Sequence, residues 1–228
     1  MEKKLCLTGV KPTGMPHLGN YLAAIRPGVK LANSNEYVGY FFIADYHSLT
    51  SVFNGPQLKK DIYQVACAWL ACGLNPDRIV LYKQSDIPEI LEINWILSCF
   101  CSKGLMNRAH AYKAKVQDNE KNNRDQDHGI NLGLFSYPVL MASDILYLKS
   151  DLVPVGPDQL QHIEIARDLA NAFNYIYGDV FHLPKAFEQE VKLVPGLDGR
   201  KMSKSYDNTI PLFVSEKKLK KLINKIVT

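Results

Sequence analysis

No stretch of this chain is apolar enough to cross a bilayer, since none approaches the roughly 18–20 consecutive hydrophobic residues that a span needs. The N-terminus does not read as a secretory leader either: Met1-Glu2-Lys3-Lys4 leads into only Leu5 to Leu7 before turn chemistry begins, too short for the apolar core of a signal peptide. A cytoplasmic location is the default expectation, with no membrane partner. Cysteine is scarce and odd in number, at Cys6, Cys67, Cys72, Cys99 and Cys101. Cys99-Phe100-Cys101 has the wrong spacing for a zinc knuckle, and no further thiols follow. The five are expected to be free, acting as small buried hydrophobes in a reducing compartment. No internal repeat is visible. With 228 residues and 46% hydrophobic side chains, there is material for one large domain, or one domain plus a piece of another.

The formal net charge is +4, and its placement says more than its size. Residues 196–228 carry eight Lys/Arg against three Asp/Glu, whereas the rest carries nineteen against twenty. All the surplus therefore lies in the C-terminal stretch. Such a patch suits phosphate, of a nucleotide or of a nucleic-acid backbone; a solvated lysine face explains the terminal lysines equally well.

Along the chain, strand and helix patterns alternate. Strands are expected at Lys4–Thr8, at the nearly continuous apolar run Tyr37–Ile43, at Arg78–Tyr82 and at Leu152–Gly156. Helices are expected at His17–Leu31, with Pro27-Gly28 kinking or splitting it, at Gln57–Cys72 with Gly73 as its stop, and at Glu89–Cys101. Further helices are expected at Leu105–Lys115, Leu132–Leu148 and Pro157–Phe173. The polar run Gln117–His128 has no apolar area to bury and is expected to be a mobile loop. The alternation predicts an α/β fold, a doubly wound parallel sheet with helices on both faces. Near the end, Ser215 caps an amphipathic helix whose apolar stripe is Leu219, Leu222, Ile223 and Ile226. Such a stripe needs a partner surface, so the expected division is one α/β domain over 1–212 and the start of a truncated helical domain over 213–228.

Two motifs carry the chemistry. Residues 11–20 read Lys-Pro-Thr-Gly-Met-Pro-His-Leu-Gly-Asn where a strand gives way to a helix. Glycines allow close backbone approach, the helix N-terminus stabilises an anion, and His17 and Asn20 can donate to phosphate oxygens. Residues 199–205 read Gly-Arg-Lys-Met-Ser-Lys-Ser, following turn chemistry at Leu197-Asp198. Mobile lysines in a loop can follow charge as it builds on a transferring phosphate. Together the motifs describe a nucleoside triphosphate gripped from two sides.

At this point the residues resemble a known family, the class I aminoacyl-tRNA synthetases, and within it the bacterial tryptophanyl-tRNA synthetases. His17-Leu18-Gly19-Asn20 resembles the first family signature and Lys201 to Ser205 matches the second. Tyr137-Pro138-Val139-Leu140-Met141-Ala142-Ser143-Asp144-Ile145-Leu146 and Val153 to Glu164 resemble stretches typical of the tryptophan enzymes. Lys11 stands where the bacterial pattern usually has glutamine. The resemblance implies a Rossmann-like class I catalytic domain that activates L-tryptophan with ATP and passes it to tRNA(Trp), as a homodimer, with Mg²⁺ accompanying ATP, no metal site of its own and no role for DNA. Catalysis would fall to His17, Asn20, Lys201 and Lys204. The ATP site would comprise Lys11, Pro12, Thr13, Gly19, Asn20, Gly156, Pro157, Asp158, Lys201, Met202, Ser203, Lys204 and Ser205, with Gly156 and Asp158 at the ribose. Tryptophan would meet Asp144, Met141, Tyr137, His47, Gln159, Val153 and Val155. Residues 80–112, with Trp95, Ile96, Phe100 and Leu105, offer a plausible subunit interface, though core packing accounts for them equally. Activation is expected to survive the truncation. The tyrosine enzymes, which share both signatures, and a non-catalytic nucleotide- or RNA-binding relative remain as alternatives.

Overall fold

The computed structural model describes residues 3–188 and 194–227, with Asp158 and Glu188 described by backbone alone. In chain order the described elements are β1 (Lys4–Val10), α1 (Leu18–Asn20), a π-helical stretch Tyr21–Ile25, α2 (Arg26–Ala32), β2 (Tyr37–Ile43), α3 (Asp45–Ser48), α4 (Gly55–Ala71), β3 (Ile79–Lys83), α5 (Glu89–Phe100), α6 (Lys103–Asn107), α7 (His110–Lys121), α8 (Leu132–Tyr147), β4 (Leu152–Val155), α9 (Leu160–Tyr177), β5 (Lys185–Glu188) and α10 (Glu216–Ile223). The strands form one parallel sheet in the order β3-β2-β1-β4-β5. The doubly wound α/β class expected from the alternation is the one found.

Successive side chains of a strand point to opposite faces, and this divides the core in two. Phe41 and Ile43 face Ile25, Val65 and Trp69 of the helices on one side. Leu7 and Phe42 face Leu97, Val139, Ile145, Ile163 and Leu169 on the other. Asp144 lies within the second layer, beside Ile145 and Leu146, and is equally buried.

Several details differ from expectation, each for a physical reason. Pro27-Gly28 does not split the first helix. Pro27 falls just after the π-helical stretch Tyr21–Ile25, whose wider turn takes up the residue that cannot donate and keeps the backbone continuous into α2. Gly28 is there for close approach, because a Cβ would come within 2.7 Å of the Trp69 ring. The polar run Gln117–His128 is not one loop. α7 continues to Lys121, and the buried Asn119 amide donates to the carbonyls of Gln126 and His128, which ties the following turn back onto the helix. β5 had no counterpart in the sequence reading. Of the cysteines, Cys6 is buried, which pushes its thiol up to about 12, but Cys67 and Cys99 are exposed. In the 80–112 segment, Phe100 and Leu105 pack on the core while Trp95 is 72% exposed.

Candidate active site

β1 has β2 on one side and β4 on the other, so the chain leaves it in opposite directions and opens a crevice beyond the carboxyl ends of the strands. A cavity of about 500 Å³ lies there. Thr8, Gly9 and Lys11 line it from β1 and the turn after it, Ala44 from just past β2, His47 from α3, and Val153, Val155, Gly156 and Gln159 from β4 and beyond. Tyr137, Met141 and Asp144 line it from α8, at the four- and three-residue spacing that puts them on one helical face. The structure thus gathers every tryptophan-site residue expected from the sequence into one cavity. The side chain of Asp158, expected at the ribose, lies outside the described residues.

The floor of the cavity is an enclosed polar cluster. Asp144 is 1% exposed, and burial pushes its carboxyl above the ordinary carboxylate range. Donors from His47 and Gln84 oppose that push. His47 Nε2 is 3.0 Å from Asp144 Oδ2, and Gln84 Nε2 donates to both carboxylate oxygens at 2.9 Å. Beside this cluster, Tyr137 Oη lies 2.9 Å from His162 Nε2, and the Tyr137 ring meets the His47 ring edge-on. An acidic group supplied with donors inside an apolar layer is ready to accept one further N–H, since a carboxylate has about four lone-pair sites.

The two signature motifs meet just past Lys11, the residue by which the first of them lines the cavity. His17 caps α1: its Nδ1 accepts from the Asn20 N–H at 3.3 Å, and Asn20 Oδ1 accepts from the His17 N–H at 3.0 Å. That reciprocal pair fixes both side chains at a helix N-terminus. Gly14 sits at φ +84, a backbone that favours glycine. Gly19 serves close approach, its Cβ position lying 2.9 Å from the His17 ring. The second motif folds directly onto the first. The Gly19 N–H donates to Met202 Sδ at 3.3 Å, Leu18 N–H donates to the Ile210 carbonyl, and Lys204 Nζ donates to the Thr13 carbonyl. Burial lowers the His17 imidazole and the Lys204 amine; the positive charge of Lys204 adds to the first effect, and Asp61 opposes the second. The loop itself stands on Asn208, buried, which accepts from the Ser203 N–H and donates to Asp198 and to the Lys201 carbonyl. Lys201 and Ser205 stay exposed, and the Ser203 and Ser205 hydroxyls are 2.8 Å apart.

Lys11 joins the two ends. It lies in the cavity with its amine 5.5 Å from the Tyr137 ring centroid, and burial lowers it. Sequence reasoning missed Gln84, Asp61 and Asn208. Gln84 had one available signal, its place directly after a parallel strand, where such sheets put their ligand-facing residues; the other two had none.

A family model described as tRNA synthetases class I (W and Y) matches residues 2–228. The tryptophan–tRNA ligase of Neisseria meningitidis is 53% identical over the whole chain, which spans 68% of that protein. This chain belongs to the class I tRNA synthetases, in the tryptophan branch. The tryptophan–tRNA ligase of Pseudomonas putida is also 53% identical over 97% of the chain, which there spans 50% of the relative's length. Among solved structures, the tryptophanyl-tRNA synthetase of Campylobacter jejuni complexed with ADP and tryptophan is 47% identical over 98% of the chain and 67% of its own, with a TM-score of 0.87.

Proposed function

We propose that this chain activates L-tryptophan with ATP and that the protein it represents charges tRNA(Trp). The observation that carries the reading is a buried, donor-supplied carboxylate, Asp144, lining a cavity that Lys11 of the first phosphate-facing motif also lines, with the second motif bonded to the first two residues on, at Thr13. Indole offers one N–H donor and no acceptor; Asp144 accepts that bond, while Met141 and the two valines Val153 and Val155 pack the ring. Phenylalanine would leave the carboxylate without this partner. Sites of this kind discriminate by up to about 10⁴–10⁵.

In the first step a tryptophan carboxylate oxygen attacks the α-phosphorus. The new O–P bond forms as the bond to the β-phosphate oxygen breaks, and pyrophosphate leaves. The attacking carboxylate is ionised at neutral pH, so no general base is required. Catalysis is positioning plus charge stabilisation. Thr13, His17 and Asn20 form one wall around the triphosphate, and Lys201, Ser203, Lys204 and Ser205 form the other. Lys204 exchanges its bond to the Thr13 carbonyl for phosphate oxygens. Among the described residues there is no group of three His, Cys, Asp or Glu able to hold a metal, so Mg²⁺ would arrive on the triphosphate's own oxygens.

The exposed lysines of α10 are suited to a tRNA backbone. Its stripe is half-exposed at Ile223, which fits residues 213–228 being the start of a further helical part. Exposed Trp95, Ile96 and Val80 are proposed as a subunit interface, to be checked by sedimentation equilibrium. The experiment that tests the activity is ATP–pyrophosphate exchange with each aromatic amino acid. Exchange with tryptophan alone is expected. Exchange with tyrosine, or none despite ATP binding, overturns the reading.

A further inference from the structure

One side chain in the enclosed polar cluster has no part in either signature. Gln84, which is 0% exposed, follows directly on β3. Its carbonyl oxygen accepts the His47 backbone N–H at 3.3 Å, so its amide nitrogen must face Asp144. A flipped amide would set oxygen against carboxylate and N–H against N–H. The turn that holds Gln84 is itself pinned. The Ser85 N–H and hydroxyl donate to Oδ1 and Oδ2 of Asp45 at 3.0 and 2.5 Å, and Asp45 opens α3, the helix that carries His47. Both donors to Asp144 therefore come from one cross-linked unit, and they reach it from a fixed side.

We infer that Gln84 is a positioning residue of the amino-acid site, locking the plane of the Asp144 carboxylate so that an acceptor stays available to a ring N–H in the cavity. The inference rests on the proposed reading of Asp144 as the indole acceptor. Its chemistry is specific. With two amide contacts and one imidazole contact, the carboxylate keeps lone-pair capacity for one more donor and has little freedom to rotate. Without the amide, the group would be held at one oxygen only, and could turn its acceptor away or take up a proton.

The test compares tryptophan with β-(3-benzothienyl)alanine, whose sulfur replaces the ring N–H at nearly the same shape, by ATP–pyrophosphate exchange in the wild type and in Gln84→Met. The wild type is expected to prefer tryptophan. In Gln84→Met the preference should fall about 10–100-fold, the worth of a hydrogen bond to a charged group. The loss should appear in KM for tryptophan, with KM for ATP little changed. A purely structural role would weaken both substrates alike and leave their ratio where it was; an unchanged ratio in a folded variant overturns the inference. A wild type that shows no preference overturns the reading of Asp144 instead, and the inference with it.

Should Gln84→Met fail to fold, Gln84→Glu carries the test. It sets a second carboxyl against Asp144, and two such groups share one proton. The other titratable groups around them are His47 and Asp45 from α3 and Tyr82 from β3. The preference for tryptophan should then be lost at high pH and recovered on acidification, as the shared proton replaces the amide N–H. A wild-type preference that is flat with pH in that variant overturns the inference.

Discussion

At the floor of the cavity, Asp144, His47 and Gln84 are buried and supply one another with hydrogen bonds; where the two signature motifs meet, at the mouth of the proposed site, Lys201 and Ser205 are exposed, the Lys204 amine rests on the Thr13 carbonyl and Ser205 on Ser203. The floor cannot rearrange cheaply, because any displacement leaves a charged group unpaired in an apolar layer. The mouth can, because water replaces whatever contact is given up. Choosing between amino acids needs a fixed geometry; following charge as it moves from the α- to the β-phosphate needs an adjustable one. The mouth is not loose throughout. Buried Asn208 and Met202 hold the base of the lysine loop, and only its tips are free to follow the ligand.

This contrast can be broken deliberately, and the largest effect should come at the floor. Asp144→Ala is expected to lower kcat/KM for tryptophan by about 10³–10⁵-fold. KM for ATP should hardly move. Equal losses for both substrates would show that the two ends are not separate. At the mouth, Lys204→Ala should lower the activation rate by about 10²–10³-fold, as for other groups that contact the transition state. KM for tryptophan should stay nearly constant; a pure KM effect would show Lys204 to be a ground-state contact.

The pH dependence sharpens the same distinction. Asp144 has a carboxyl raised by burial, and the ionised form is the one that accepts the indole N–H. Tryptophan binding should therefore be fully present above that raised value and lost as pH falls through it, giving an acid limb in KM for tryptophan above the ordinary carboxylate range. KM for ATP should show no limb there. For the folded state alone the sign is opposite: a raised carboxyl holds its proton more tightly when folded, so the cost of burying its charge is relieved on acidification.

Asn208→Ala should have a smaller effect, raising KM for ATP by about tenfold, because it frees the base of the loop without removing a cation. The smallest should come from α10, outside both regions. Its Glu216–Lys220 pair is solvent-exposed, and Lys220→Ala should change stability by no more than about 0.5 kcal/mol in a denaturant titration.

What the sequence made legible divides along the same line. At the mouth, the two motifs stood out as a glycine turn with a histidine and as a lysine loop after a turn, and the structure brings them into contact through Gly19–Met202 and Thr13–Lys204. The apolar part of the floor was readable too: Tyr137, Met141 and Asp144 repeat at helical spacing amid Leu140 and Ile145. The donors to Asp144 were not equally visible. His47 came from the family resemblance, and Gln84 did not come at all, because a single polar residue after a strand has no periodicity and its partner lies sixty residues away. α7 ran past its expected end for a related reason: a polar helix carries no apolar stripe, and the contact that holds its turn, Asn119 to Gln126 and His128, exists only once the chain has folded.

The central claim is that Asp144 accepts the indole N–H, and it is tested most directly by nuclear magnetic resonance of tryptophan labelled with ¹⁵N at the indole nitrogen and bound to the protein. The account predicts an indole proton moved downfield and protected from exchange with water in the wild type, with both features lost in Asp144→Ala. A bound tryptophan whose indole proton exchanges as it does in free solution would contradict it.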